Sequence, residues 1–292
     1  MSVPEAGRRT ELRAPDGAVA VVDAHGAHVL AWRPAGPGAD GARERLFLSA
    51  RASFGEGTAI RGGVPVIFPQ FAGEGPLPKH GFARTRRWTR VPAAGDDAAG
   101  AARWRLVDDA ATRAVWPHAF AAELTVQVGG DALAVTLGVQ NTGTTLLAFT
   151  AALHTYLRVD DVARAAVRGL AGTRYRDTAL GDRLADPDAV ARAGAADDDD
   201  ALRFAGEVDR IYVDAPPLLT LVDGTRRTRI ESAGFPDAVV WNPGAERADA
   251  LADLEPGGWR RFVCVEAAAV ARPVRLAPGE HWTGTQRLTA LT

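Results

Sequence analysis

Residues 122–139 read Ala-Glu-Leu-Thr-Val-Gln-Val-Gly-Gly-Asp-Ala-Leu-Ala-Val-Thr-Leu-Gly-Val, and this stretch decides the fold class. Ala122, Leu124, Val126 and Val128 alternate with Glu123, Thr125 and Gln127. Past Gly129-Gly130-Asp131 the apolar positions resume at Leu133, Val135, Leu137 and Val139. Successive side chains of a strand point to opposite faces, so a period of two gives each run one face for a core. The glycine-rich break supplies a turn, and the whole reads as a β-hairpin. Working outward, Asp223-Gly224 separates residues 218–222 from 226–230 in the same manner. Further strand-like runs occupy residues 19–22, 28–32, 46–49, 103–107, 239–241, 262–266 and 286–291. Turn signals recur at short intervals and no long segment carries a helical stripe, which is the pattern of an all-β sandwich or barrel. The alanine- and aspartate-rich stretch 186–201 has room for a short helix, with Asp197–Asp200 read as a solvated loop rather than a calcium site. No internal repeat or long linker divides the chain, so residues 1–292 are expected to form one domain.

Composition narrows the class. Hydrophobic residues make up 47% and charged residues 24%, as in a soluble globular protein. A formal net charge of −2 supplies no global field for nucleic acid or an anionic membrane. Nearly all the positive charge is arginine, and Lys79 is the one lysine. Cys264 is the one cysteine, which excludes an intrachain disulfide framework and a cysteine-based zinc site. The N-terminal residues lack the apolar run of a signal peptide and no long apolar span follows, so a cytoplasmic protein is expected, without a membrane or nucleic-acid partner.

Chemistry concentrates in residues 60–84, where glycine and proline are too dense for a helix yet Val64, Val66, Ile67, Phe68 and Phe71 remain apolar. A packed irregular loop is costly in backbone entropy and is usually kept for a site. Arg61 precedes two glycines, and Lys79, His80 and Arg84 follow within a short span. Three cations and an imidazole beside glycine-rich backbone suit an anionic ligand; an ordinary surface loop with solvated arginines is the plain alternative.

Two further residues stand out. Residues 146–160 read as one strand, with Leu147, Phe149, Ala151, Leu153, Leu157 and Val159 on an apolar face interrupted by Thr155. His154 then falls on the opposite face with Thr150, Tyr156 and Arg158, where it is either structural or part of a polar groove. Glu266 shares a face with Phe262 and Cys264 at the end of an apolar strand. Desolvation there would raise its pKa toward that of a general base working near neutrality; a strand-end ion pair with an arginine is the alternative. Other chemistries lack their motifs: there is no phosphate-binding Gly-x-x-x-x-Gly-Lys loop, no Gly-x-Gly-x-x-Gly, and no Gly-x-Ser-x-Gly elbow. His25 and His28 have metal-compatible spacing but no carboxylate or thiol cluster beside them.

Six segments in order carry a family resemblance: Ile60-Arg-Gly-Gly-Val-Pro-Val-Ile-Phe-Pro-Gln-Phe, Leu77-Pro-Lys-His-Gly-Phe-Ala-Arg, Leu153-His-Thr-Tyr-Leu, Val208-Asp-Arg-Ile-Tyr, Val240-Trp-Asn-Pro-Gly and Val263-Cys-Val-Glu-Ala. Together they resemble the glucose-6-phosphate 1-epimerases, the hexose-6-phosphate mutarotases of the aldose 1-epimerase superfamily. The resemblance implies a galactose-mutarotase-like β-supersandwich of mainly antiparallel strands. It also implies a catalytic pair, His154 and Glu266, with Arg61, Arg84 and Asp209 as substrate contacts. His80 is placed beside the sugar ring as a hydrogen-bonding partner, with a structural role in fixing the loop as its alternative. Lys79 stands where the family often has glutamine; an ammonium can donate to phosphate but cannot accept. The implied enzyme is an isomerase that interconverts α and β anomers of hexose 6-phosphates, chiefly glucose 6-phosphate. Glu266 acts as base toward the C1 hydroxyl and His154 as acid toward the ring oxygen, with no metal or cofactor. A monomer acting on a small-molecule substrate is expected. Two alternatives remain: an aldose 1-epimerase of neutral sugars, and a non-catalytic carbohydrate-binding sandwich.

Overall fold

In the computed structural model, residues 9–36, 43–92, 99–179, 183–185 and 201–291 are described. The hairpin forms as its alternation predicts. Strands Phe120–Gly129 and Ala132–Asn141 pair antiparallel with Val126 opposite Val135, and Gly130 turns the chain at a left-handed φ of 58°. The second hairpin joins Leu218–Asp223 to Arg226–Ala233 through Gly224 at φ 62°.

Both hairpins belong to a nine-stranded sheet. From one edge it runs Ala201–Arg203, Ala165–Arg168, Leu218–Asp223, Arg226–Ala233 and His281–Leu291, then Ala132–Asn141, Phe120–Gly129, Ala101–Val107 and Thr89–Val91. An eight-stranded sheet lies against it. Its path is Arg183–Ala185, Tyr175–Asp177, Val208–Tyr212, Asp237–Asn242, Phe262–Leu276, Leu147–Leu153 and Val66–Ile67, and Tyr156–Arg158 also pairs with Phe262–Leu276. A three-stranded sheet of Arg9–Arg13, Val19–Asp23 and His28–Arg33 adds to the core at one side.

The main core unites the inward faces of the two large sheets. Leu124, Val126, Leu133 and Val135 from one meet Phe149, Leu153, Val263 and Val265 from the other in a single buried cluster. The eight-stranded sheet also buries its outer face. Ile67, Phe71, Ala152, Ile211, Val239 and Ala268 form one outer cluster, and Phe47, Tyr156, Leu254, Phe262 and Cys264 form part of another. Burial on both faces explains why residues 262–270 read as apolar with little alternation. It also leaves a layer of loops on that outer face, where the side chains expected to form the site line a cavity.

Several sequence expectations need correction. Residues 146–160 form two strands, Leu147–Leu153 and Tyr156–Arg158, broken at His154-Thr155. The break arises because the loop of residues 60–84 takes the backbone bonds there: His154 N–H donates to the Pro65 carbonyl and Tyr156 N–H to that of Gly63. Glu266 does not end its strand, which continues to Leu276. Residues 46–49 make isolated bridges, Leu46 with Leu157 and Leu48 with Gly62, instead of a strand. Two short α-helices, Ala110–Val115 and Gly244–Ala248, were not foreseen; the first carries a capping box of Asp109 and Thr112. Of the stretch 186–201, only Ala201 is described, at the start of a strand, and the Asp197–Asp200 run lies outside the described residues.

A buried polar tie crosses the core beside the site. Gln286, buried in the nine-stranded sheet, accepts a hydrogen bond from the Thr155 hydroxyl and donates through Nε2 to the Val265 carbonyl at 3.0 Å. One amide thus satisfies two buried groups of the opposite sheet, as a polar group in an apolar interior requires.

Candidate active site

The strand break brings two distant residues face to face. Leu153 pairs with Ala267 and Tyr156 with Cys264, so His154-Thr155 lies beside Val265-Glu266 on the neighbouring strand. The His154 Nε2 atom stands 3.3 Å from Glu266 Oε1, and the two residues are only 8% and 2% exposed. His154 Nδ1 and Glu266 Oε2 have no hydrogen-bond partner among the described residues.

Both groups line a cavity of about 420 Å³, within the usual range for small-molecule sites. Arg61, Lys79, His80, Arg84 and Asp209 line the same cavity, so the structure brings all seven expected residues together. The loop of residues 60–84 presents four of them, and its glycines explain how. Gly62 and Gly63 take positive φ values of 113° and 61°, and a β-carbon on either would collide with neighbouring backbone, at Phe47 and Val29 respectively. That close approach carries Arg61 to the cavity wall. There its guanidinium pairs with Asp253 at 3.1 Å and donates through Nη1 to the Tyr156 hydroxyl at 2.9 Å.

The far end of the loop is closed by reciprocal bonds. His80 N–H donates to the Ala72 carbonyl at 2.8 Å, and Ala72 N–H donates back to His80 Nδ1 at 3.2 Å. An imidazole nitrogen that accepts carries no proton, so the His80 proton is on Nε2. Gln70 fastens the same loop through Ala72 and Leu77. Arg84 donates through Nη2 to the Lys79 carbonyl at 2.9 Å, while its buried Nε has no hydrogen-bond partner among the described residues. Asp209, on the strand Val208–Tyr212, faces this loop from across the cavity and is paired in register with Trp241.

Three contributors were not singled out from the sequence. Tyr156 stacks on His154 with ring centroids 4.9 Å apart at 11°, and Trp241 meets the imidazole edge-on at 5.7 Å. Alternation placed Tyr156 on the His154 face, which was a usable signal. Asp253 left none, since it lies 192 residues from the arginine it holds.

Burial sets the electrostatics. It pushes the Glu266 carboxyl well above the usual carboxylate range, with Asp209 adding to the rise and Arg84 and Lys79 opposing it. Burial likewise pushes His154 well below the usual imidazole range, aided by the charges of Arg84, Arg61 and Lys79. His80 is also driven down, by burial and then by His154 and Arg84, and stays neutral. Both directions favour an uncharged His154–Glu266 pair with its proton on the carboxyl. Among the described residues no group of three or more His, Cys, Asp or Glu side chains is placed to hold a metal ion, His25 and His28 included.

The family model for aldose 1-epimerase matches residues 8–289. A protein of Cenchrus ciliaris, provisionally named glucose-6-phosphate 1-epimerase, is 33% identical over 302 residues, covering 100% of this chain and 87% of the relative. A Salmonella typhimurium protein provisionally named a mutarotase has a solved structure that superposes with a TM-score of 0.83 at 27% identity, covering 97% of this chain and 90% of that one. A galactose mutarotase-like protein of Lactobacillus casei shares the fold, with a TM-score of 0.73 at 15% identity over 97% of this chain and 100% of that one. The expected galactose-mutarotase-like all-β sandwich is therefore borne out.

Proposed function

The chain belongs to the aldose 1-epimerase family, and we propose that it is an isomerase interconverting the α and β anomers of hexose 6-phosphates, chiefly glucose 6-phosphate. The observation that carries this reading is the 3.3 Å His154–Glu266 pair in a cavity that also holds Arg61, Lys79 and Arg84.

Anomer exchange needs one proton removed from the C1 hydroxyl and one delivered to the ring oxygen. The C1–O5 bond then breaks to an aldehyde, rotation about C1–C2 exposes the other face, and closure reverses both transfers. Glu266 serves as base at the C1 hydroxyl and His154 as acid at the ring oxygen. Two positioned groups contribute about 10²- to 10⁴-fold each, and the chemistry asks for no metal or cofactor. In the free enzyme the proton favours Glu266, so the working state needs it on His154. Burial first, and then the charges of Arg84, Arg61 and Lys79, hold His154 neutral, and a bound phosphate dianion offsets the second of these. The substrate's phosphate thereby helps to protonate the acid as well as to anchor the sugar.

Arg84 is the stronger phosphate ligand, because it is half-buried, directed by the Lys79 carbonyl, and has an unused Nε. Arg61 and Lys79 complete the anion site. His80, fixed with its proton on Nε2, donates to a sugar hydroxyl, and Asp209 accepts from another. Trp241 offers an apolar wall to the ring.

A neutral-sugar reading draws on one observation, the Arg61–Asp253 pair, which satisfies one cation within the protein. Exchange of α and β signals in NMR, measured on glucose 6-phosphate and on glucose, separates the two. Our reading expects a much larger kcat/KM for the phosphorylated sugar; parity would transfer the assignment to neutral sugars. We read residues 1–292 as one domain, working as a cytoplasmic monomer on a small-molecule substrate without nucleic-acid or membrane partners. No helix among the described residues is long and apolar enough to cross a membrane.

A further inference from the structure

Lys79 is the chain's one lysine, and it lines the cavity in which the reaction read above generates an aldehyde. The residue as a whole is exposed, and no hydrogen bond or ion pair engages its ammonium among the described residues. The backbone that carries it is fixed, however. His80, the next residue, holds a left-handed φ of 70° and is bonded to Ala72 in both directions, and the Lys79 carbonyl accepts from Arg84. A long, free amine on an anchored base can reach a ligand whose phosphate lies at Arg84.

Its surroundings favour a reactive amine. Burial lowers the Lys79 pKa from its ordinary value. Arg247, in the short helix across the cavity, and Arg84 and Arg61, in its own loop, push the same way, and Asp209 opposes them. More of the side chain is then the neutral nucleophile near neutral pH.

We propose that Lys79 is a carbonyl-capture site, whose ε-amine forms a reversible imine with phosphate-bearing aldehydes held in the cavity, the open-chain hexose 6-phosphate among them. The nitrogen lone pair adds to the carbonyl carbon, and the carbonyl oxygen takes up a proton to give a carbinolamine. The nitrogen then loses its protons as the hydroxyl, protonated once more, leaves as water and the C=N bond forms. One amine and one aldehyde enter; one imine and one water leave, with no oxidant or reductant. The natural aldehyde rests on the function proposed above, whereas a synthetic one does not.

Pyridoxal 5′-phosphate is the probe, since it carries an aldehyde and a phosphate on one small ring. The whole protein is treated with it, reduced with borohydride to fix the imine, and mapped by intact-mass and peptide mass spectrometry. The expected result is one adduct at Lys79, suppressed at least about tenfold by saturating glucose 6-phosphate or inorganic phosphate, and similarly weaker with pyridoxal lacking phosphate. K79R, checked for native circular dichroism, should take no adduct in the cavity. Labelling confined to the N-terminal amine, or labelling of Lys79 indifferent to phosphate, would overturn the proposal. A protein that takes the phosphate-sensitive label at Lys79, but whose untreated sample fails to exchange glucose 6-phosphate anomers, would support the capture site and sink the proposed function. An active protein without the Lys79 label would do the reverse.

Discussion

His154 Nε2 and Glu266 Oε1 meet at 3.3 Å because one strand breaks at residues 154–155 while its neighbour continues. Each residue is one half of the proposed proton-transfer pair, so His154→Ala and Glu266→Gln should each lower turnover at least about a hundredfold. Circular dichroism should report a native fold for both. Near-normal turnover in a folded variant would remove that residue from the mechanism.

The same burial gives a pH signature in stability. Glu266 ionises near 4.5 in the unfolded chain and well above that in the native state. Its contribution is complete below 4.5 and is lost as pH rises through the folded value, at up to about 1.4 kcal/mol per pH unit within that window. Glu266→Gln does not titrate, so its stability relative to wild type should grow from pH 5 to pH 8 in denaturant unfolding. His154 has the opposite sign: its pKa is lowered from 6.5, so its contribution is present above 6.5 and is lost as pH falls. His154→Gln should therefore lose less stability than wild type between pH 7 and pH 5. Parallel pH–stability curves for wild type and either variant would contradict the burial argument for that residue.

Arg84→Ala should cut kcat/KM for glucose 6-phosphate about ten- to a hundredfold more than for glucose, the loss of a hydrogen bond between charged groups. Arg61→Ala should act in the same direction but less, because Asp253 and Tyr156 already take up part of its donor capacity. Lysine at position 84 should restore only part of the loss, since an ammonium lacks the guanidinium fork. A substrate ratio untouched by both alanine variants would make the arginines structural.

Tyr156 has two separable tasks. Tyr156→Phe removes the bond that orients Arg61, a loss that outweighs the donor it frees, and keeps the ring under His154, so KM for glucose 6-phosphate should rise about tenfold with kcat nearly unchanged. Tyr156→Ala also removes the stacked ring and should lower kcat. Equal kcat values in the two variants would argue against any role for the stack.

The sandwich was legible wherever one face of a strand is buried. The runs around Leu124 and Val135 alternate because solvent takes the other face, and both hairpins fall where glycine permits a left-handed turn. Local pattern failed where tertiary hydrogen bonds prevail. Alternation continues through residues 146–160, yet the carbonyls of Gly63 and Pro65 claim the backbone of Tyr156 and His154 and split the strand. The seven cavity residues were found through dense local motifs and family resemblance. Asp253 was not, because an ion pair closed across 192 residues leaves no trace in spacing. The helix Gly244–Ala248 was missed because five residues are too few to show a helical period.

Gln286 gives the site a timetable. Its amide reaches from the opposite sheet to Thr155, next to His154, and to the carbonyl of Val265, next to Glu266. Synthesis proceeds from the N-terminus, so of the residues that hold the pair in place this one leaves the ribosome last. A nascent chain can carry both His154 and Glu266 and still lack the amide that bonds to the residues beside them. Activity on the ribosome should therefore begin only after residue 286 has cleared the exit tunnel, some twenty residues of synthesis later than the presence of His154 and Glu266 alone would allow (about twenty separate Glu266 from Gln286).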